Sequence, residues 1–462
     1  MSFVHIFKNH IFRAIILLPL AMILAGCSTD FSAVRKEQAE TYDHEITNKT
    51  ERILSIDKTY DLESCIEIAL ENNLDIKISE INGRLAGIDR SVAFSYFLPQ
   101  IDVQFTHTKA DKLQTRNAFG NYIAMADQDT TVTVIKGQLA VFNPEAWFLY
   151  STYKRGEDIQ NLVTLRVRQA IRLQVTALYL SCLSLESNIP ALETSVDQAK
   201  ALLGEMKAFY REGLILKSEL EEARVFEMMQ KQSLSEMKRL KTYTKSQLLE
   251  AMGLSPLSEI KLGAPPSLPS QDKELSDMVL TAMLNRPEMM ISDRNVEVRE
   301  NAIKMAILAF LPRIFLVGDL TSNRDSYLRY RDIFTYGVSA ILTLFDGFSN
   351  IYQYEAAKEE RSRAMLEREQ SCIKIILEVI KAKQSLDREK DNRELMKLEL
   401  SAAGSRLNEV MSLWKEGMVT SSEKLNAVRL NASAESNMAM AEYRYQVALA
   451  TMADVMGISG KE

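Results

Sequence analysis

Phe97-Leu98-Pro99-Gln100-Ile101 returns 213 residues later as Phe310-Leu311-Pro312-Arg313-Ile314. Each copy comes after a stretch with helical spacing. A proline disfavours helical geometry at the residue before it, so each Leu-Pro ends a helix. The residues beyond the first Leu-Pro alternate. Ile101, Val103 and Phe105 point one way, and Asp102, Gln104 and Thr106 the other. Before the second long helix, Phe334, Tyr336, Val338, Ala340, Leu342 and Leu344 alternate with Thr335, Gly337, Ser339 and Thr343, with Ile341 the exception. Period-two patterning over about ten residues predicts strands with one apolar face. Residues 132–141 and 314–320 alternate less cleanly.

The match extends to the preceding helix. At the same offset, Ala69 falls on Ala282, Asn72 on Asn285 and Asp75 on Glu288. Further on, the offset is 204: Arg211-Glu212-Gly213-Leu214 meets Lys415-Glu416-Gly417-Met418, and Met252-Gly253-Leu254 meets Met456-Gly457-Ile458. The chain therefore reads as a duplication. Residues 61–254 form one repeat and 274–458 the other, with a Pro-, Ser- and Gly-rich linker at 255–273. Each repeat predicts a helix of about 35 residues (61–96, 274–309), two strands around a loop, a very long helix, a glycine turn and a last helix. Ser349 to Lys415 contains no Pro and only Gly404. At 1.5 Å per residue it would span about 100 Å. Pro190 predicts a kink or break in the corresponding first helix. Gly213 and Gly417 read as helix C-cap glycines. Apolar residues at spacings of three and four, such as Ile373, Ile376, Ile380, Leu407, Val410 and Trp414, predict lateral packing as in coiled coils.

Only 17 Gly and 10 Pro in 462 residues suit such helices. The net charge is −6, without a basic block, which disfavours a nucleic-acid partner. Lys8 and Arg13 precede an apolar run ending in Leu24-Ala25-Gly26-Cys27, which reads as a signal peptide over 1–26. The ending resembles a lipobox. That resemblance implies a lipid on Cys27, a lipidated segment over 27–60 and, with Ser28 next, sorting to the outer membrane. The apolar run is too short to span a bilayer as a helix, so a mature chain that crosses one must do so with strands. Cys65, Cys182 and Cys372 lie in helical patterns and read as buried small residues.

Four strands cannot close a barrel. An open edge in hydrocarbon leaves backbone groups unpaired at several kcal/mol each, and single-chain barrels start at about eight strands. Strands in lipid would therefore need partners from other chains. Phe97, Phe142, Phe310, Phe334 and Phe345 sit at strand ends, where aromatic residues favour the lipid interface.

The whole pattern, from Asp61 to Gly457, resembles the TolC-like outer membrane efflux proteins. DLESCIEIALENNLD at 61–75 is similar to the family's helix opening; Leu74 departs from its proline, which Pro287 supplies in the second repeat. Phe345-Asp346-Gly347 after the last strand is typical, while Asn143-Pro144 holds that place in the first repeat. The resemblance implies a mainly α protein with membrane β. Its duplicated helix-strand-strand-helix unit builds a long α-helical barrel and a 12-stranded β-barrel completed by a homotrimer. It implies a passive exit duct across periplasm and outer membrane, working with a periplasmic adaptor and an inner membrane pump. It places adaptor docking at Tyr210, Gly213, Leu214, Trp414, Gly417 and Met418, and a pore constriction at Glu219 and Glu423. The arginine often found before the tip aromatic is replaced by Phe209 and Leu413. No cofactor is implied beyond the covalent lipid on Cys27.

The residues offer no enzyme chemistry: there is no H-x-x-x-H pair, P-loop, GxGxxG or Cys-x-x-Cys motif. Energy for transport would have to come from a partner. Two other readings compete: a lipid-anchored periplasmic adaptor, disfavoured by the duplicated order, and a structural coiled coil, disfavoured by the repeated Leu-Pro strands.

Overall fold

The computed structural model describes residues 31–458 apart from 56, 120, 267, 268 and 270–272. The signal segment and Cys27 lie outside the described residues. The protein is mainly helical. α1 (Phe31–Ile53) leads into β1 (Thr59–Tyr60), then α2 (Leu62–Asn72) and α3 (Leu74–Ser95). Next come β2 (Gln100–Lys109), a small hairpin of β3 (Thr115–Ala118) and β4 (Asn121–Ala124), and β5 (Asp129–Phe142). α4 (Pro144–Arg211) and α5 (Lys217–Ala251) complete the first half. After β6 (Lys261–Leu262), the same order returns: α6 (Leu275–Asn285), α7 (Pro287–Leu308), β7 (Arg313–Asn323), β8 (Asp332–Ile341), α8 (Ser349–Lys415) and α9 (Ser421–Val455).

The single opening helix expected in each half is two. In the first, Asn73 leaves helical geometry (ψ 134°) and its side chain accepts from the Asp75 and Ile76 N–H groups, capping α3. In the second, Arg286 occupies the break and Pro287 starts α7, where its missing N–H costs nothing. Each break receives the end of that half's last helix. Asn73 Nδ2 donates to the Ala251 carbonyl at 2.9 Å. A Cβ on Gly253 would lie 2.3 Å from the Asn72 carbonyl oxygen, and one on Gly457 2.9 Å from the Asn285 carbonyl carbon. Both glycines have positive φ, so position and conformation alike require glycine.

Matching positions of the two halves build two separate cores. Cys65, Ala69, Val175, Leu248 and Met252 are buried in the first, and Met278, Ala282, Val379, Met452 and Met456 in the second. Burial pushes the Cys65 and Cys182 thiols up to about 12, so both behave as small apolar residues. Cys372 is only partly buried, its Sγ 3.5 Å from Met289 Sδ.

The α8 stripe differs in phase from the expected one. Ile375, Val379, Ala382 and Leu386 face the core, whereas Ile373 is exposed. α8 carries apolar residues on two faces, and its own chain covers one of them. Pro190 does not break α4. α5 and α9 pack along the same helix.

The segment before residue 60 is tied down. β1 pairs in parallel with β6 from the linker, Lys49 Nζ donates to Gly253 O at 2.8 Å, and the Ser255 N–H donates to the Thr50 hydroxyl at 2.9 Å. The β3–β4 hairpin lies inside a segment that reads as a plain loop, because strands this short leave no visible alternation.

Candidate functional site

The sheet has the order β2-β5-β7-β8, antiparallel throughout. Directly opposed residues share a face, so the register sorts every side chain. One face carries the rows Leu139–Leu316–Val338, Ile101–Gly137–Gly318–Tyr336 and Val103–Ile135–Leu320–Phe334, and then Phe105–Thr133–Ser322–Asp332. Two-residue steps of about 6.8 Å make this band roughly 20 Å tall. No helix covers it: Ile101, Val103, Phe105, Tyr336 and Val338 are each at least 67% exposed. The opposite face carries Gln100, Gln138, Gln104, Thr321 and Ser339 among its residues. The uneven alternation of β5 and β7 thus resolves into one nearly apolar face and one mixed face.

Phe97, Phe142, Phe310 and Phe345 lie at the helix-side end of the sheet, while Phe334 stacks on Tyr336 at 5.8 Å within the apolar band. β8 stops at Ile341, so Leu342 and Leu344 lie beyond the strand.

β2 and β8 are the free edges, and the helices repeat that order. Beside the sheet, α3 packs on α4, α4 on α7 and α7 on α8. Arginine–carboxylate pairs stitch this row: Arg90–Glu157 at 2.6 Å, Arg155–Glu297 at 2.7 Å and Arg368–Asp293 at 2.5 Å. Arg166 reaches Glu288 at 2.8 Å and the buried Asp454 at 2.9 Å, joining α4 to α7 and α9. Toward the hairpin tips the row is α5, α4, α9, α8. α3, which runs into β2, is one margin, and α8, which leaves β8, is the other. The outer flank of α3 presents Leu74, Ile78, Ile81, Leu85, Ile88 and Val92, all exposed, at strict four-three spacing. That is the seam of a helix awaiting a neighbour.

At the tips, both long helices end in the same motif. Leu214 N–H donates to Phe209 O and Gly213 N–H to Tyr210 O, while Met418 N–H donates to Leu413 O and Gly417 N–H to Trp414 O. These are Schellman closures, and both glycines have φ of 73°. Leu214 and Met418 project into solvent, and Tyr210 is partly exposed. Trp414 is turned inward. Its ring lies 6.0 Å from Phe209, its Nε1–H donates to Glu205 Oε1 at 3.2 Å, and Lys424 Nζ sits 4.6 Å from its centroid and 2.6 Å from Glu205 Oε2. Glu205 and Lys424 thus clamp the two hairpins together. Neither is legible in the sequence, since they meet only across 219 positions.

Glu219 and Glu423 each fold back on a helix start. Glu219 Oε2 accepts from Leu216 N–H at 2.9 Å, and Glu423 Oε2 from Thr420 N–H at 2.8 Å and the Thr420 hydroxyl at 3.0 Å. The Thr420 backbone N–H, then its hydroxyl, hold the Glu423 carboxyl below the usual range. Glu219 also borders a small crevice between the hairpins with Leu202, Met206 and Leu425. Among the described residues, no group of His, Cys, Asp and Glu is arranged to hold a metal ion, and no helix is long and apolar enough to cross a membrane.

These features define a class: a long helical wall carrying an open, two-faced sheet, with a margin of unmet packing on each side. Residues 279–458 match the family profile described as outer membrane efflux protein. Solved structures share the fold. The Campylobacter jejuni CmeC outer membrane channel superposes with a TM-score of 0.75 at 17% identity, covering 86% of each chain. The Vibrio cholerae outer membrane protein VceC gives 0.72 at 13%, over 86% of this chain and 96% of that one. The open-state Neisseria gonorrhoeae MtrE outer membrane channel gives 0.70 at 15%, over 86% and 89%. No curated protein sequence matches. The second half thus resembles outer membrane efflux proteins in sequence, and 86% of the chain shares the fold of the solved channels.

Proposed function

We propose that this protein is the outer membrane channel of a tripartite efflux or secretion system, a passive duct assembled from three copies. The observation that carries the reading is the agreement of the margins. β2 and α3 end one side of the molecule, and β8 and α8 the other. Joining copies side by side lets β2 meet the next β8 and α3 the next α8. The unpaired strand edges then find partners, and the apolar stripe of α3 is buried. The exposed apolar face turns to lipid and the mixed face to the lumen.

Three copies give twelve strands and twelve helices beside them, the assembly implied by the family resemblance. Lipid on Cys27 would hold each copy at the outer membrane. The family's tripartite pumps supply the adaptor and inner membrane pump as expected partners. The exposed Leu214 and Met418, presented on Schellman turns with Tyr210 beside the first, suit docking of the adaptor. Gly213 and Gly417 fix those turns, and Trp414 supports them from within. Glu219 and Glu423 keep one carboxylate oxygen each for the cap, leaving the other to face a constriction.

Planar bilayer recording tests this. The purified full-length protein is expected to give discrete, long-lived conductance steps. Correctly folded protein that inserts without conducting would contradict the duct and favour an adaptor or rod.

A further inference from the structure

We infer that a single charged row, Asp102–Lys136–Asp319, lines the barrel lumen and sets its preference for cations. The inference rests on the proposed duct, because the row faces a lumen only when the sheet closes. The register puts Asp102 opposite Lys136, Lys136 opposite Asp319, and Asp319 opposite Thr335. All four share the face away from the apolar band.

On that face the rows on either side are uncharged: Gln100–Gln138–Val317–Gly337 toward the helices, and Gln104–Val134–Thr321–Ile333 toward the loops. Within the four strands, the only other charge on this face is Arg313, at the helix-side end opposite Ile341. The strand charges on the apolar face, Lys109, Asp129 and Asp332, stay at its loop end. A charge at mid-height therefore occurs at one level and on one face.

Neighbouring residues in a row are about 5 Å apart, so Lys136 lies within reach of both carboxylates and offsets one of them. The Thr321 hydroxyl lies 3.3 Å from Asp319 Oδ2, holding that carboxylate in the row. Each copy contributes a surplus of one negative charge, and closure repeats it around the ring. A ring of carboxylates raises the local cation concentration. In a wide lumen its reach is set by the Debye length, about 30 Å at 0.01 M salt and about 3 Å at 1 M. The preference should therefore be strong at low salt and vanish at high salt. This band is separate from the tip carboxylates, which lie at the far end of the helices.

The test is reversal potential in a KCl gradient at low ionic strength, using the full-length channel in planar bilayers. Asp102→Asn combined with Asp319→Asn should lower the potassium-to-chloride permeability ratio at least twofold. Lys136→Gln should raise it, and both shifts should disappear at 1 M salt. Thr335→Cys supplies an independent reading that leaves the charges in place: a cationic methanethiosulfonate should move the ratio toward chloride, and an anionic one toward potassium. Unchanged ratios in the charge variants, or a Thr335→Cys channel indifferent to both reagents, would overturn the band while leaving the duct intact. A wild-type protein that forms no channel would overturn the duct itself, and the band with it.

Discussion

Four glycines close four helices in one backbone motif, yet they differ in their surroundings. Gly213 and Gly417 have open space where a Cβ would go, whereas Gly253 and Gly457 press on the breaks between the opening helices. Gly213→Ala should then cost only the left-handed penalty, about 1–2 kcal/mol. Gly253→Ala adds a backbone collision and should cost roughly 3 kcal/mol or more. Apparent Tm values of the two variants check this, and equal losses would contradict it. Glu288, like Glu186, contributes to the pH dependence. Burial pulls its carboxyl up, but the hydrogen bond from Arg286, its own backbone N–H and the charges of Arg286 and Arg166 together take it below its usual 4.5. A carboxyl depressed in the folded state stabilises fully above its unfolded value, and that contribution is lost as pH falls through the folded one. Apparent Tm should decline below about pH 4.5, and Glu288→Gln should make the decline shallower; an unchanged acid limb would show that Glu288 has no part in it.

Among the elements, the helical hairpins meet near their tips through a shared apolar cluster that includes Leu202, Met206, Trp414, Leu425 and Val428, with a charged pair beside it. Lys424 and Glu205 are the charged pair there, and the Lys424 side chain is only 13% exposed. Replacing Lys424 with Ala leaves a half-buried carboxylate and uncovers the Trp414 ring, a loss of about 1–2 kcal/mol. Hydrogen exchange should quicken in residues 205–220 and 410–425, while the cores around Met252 and Met456 stay protected. Uniform protection would show that the clamp does not hold the tips. The long helices, Leu-Pro stops and glycine closures are legible in the sequence because each depends on local chemistry. Asn73 is not legible as a cap: the helical spacing of its flanks runs through it, and the break is stabilised by Ala251, 178 residues away. The phase of α8 escapes the sequence for a related reason. Two apolar faces on one helix give a stripe whose owner is decided by packing, and Ile373 belongs to the face its own chain leaves bare. Pro190 reads as a kink or break, and α4 runs through it unbroken. At the tips, the turn residues are legible and the Glu205–Lys424 clamp is not, because nothing in either local sequence points to the other.

At the scale of the whole molecule, the fold leaves both margins open. A sheet with two bare edges, an uncovered apolar face and a helix flank of six exposed apolar residues is not a finished monomer. Completion by further copies accounts for all three at once, and the order of strands and helices says which margins meet. The decisive test is native mass measurement of the full-length protein, extracted in a mild detergent. The proposed duct predicts a single species of three chains that holds together on dilution. A stable, folded single chain under the same conditions would contradict them.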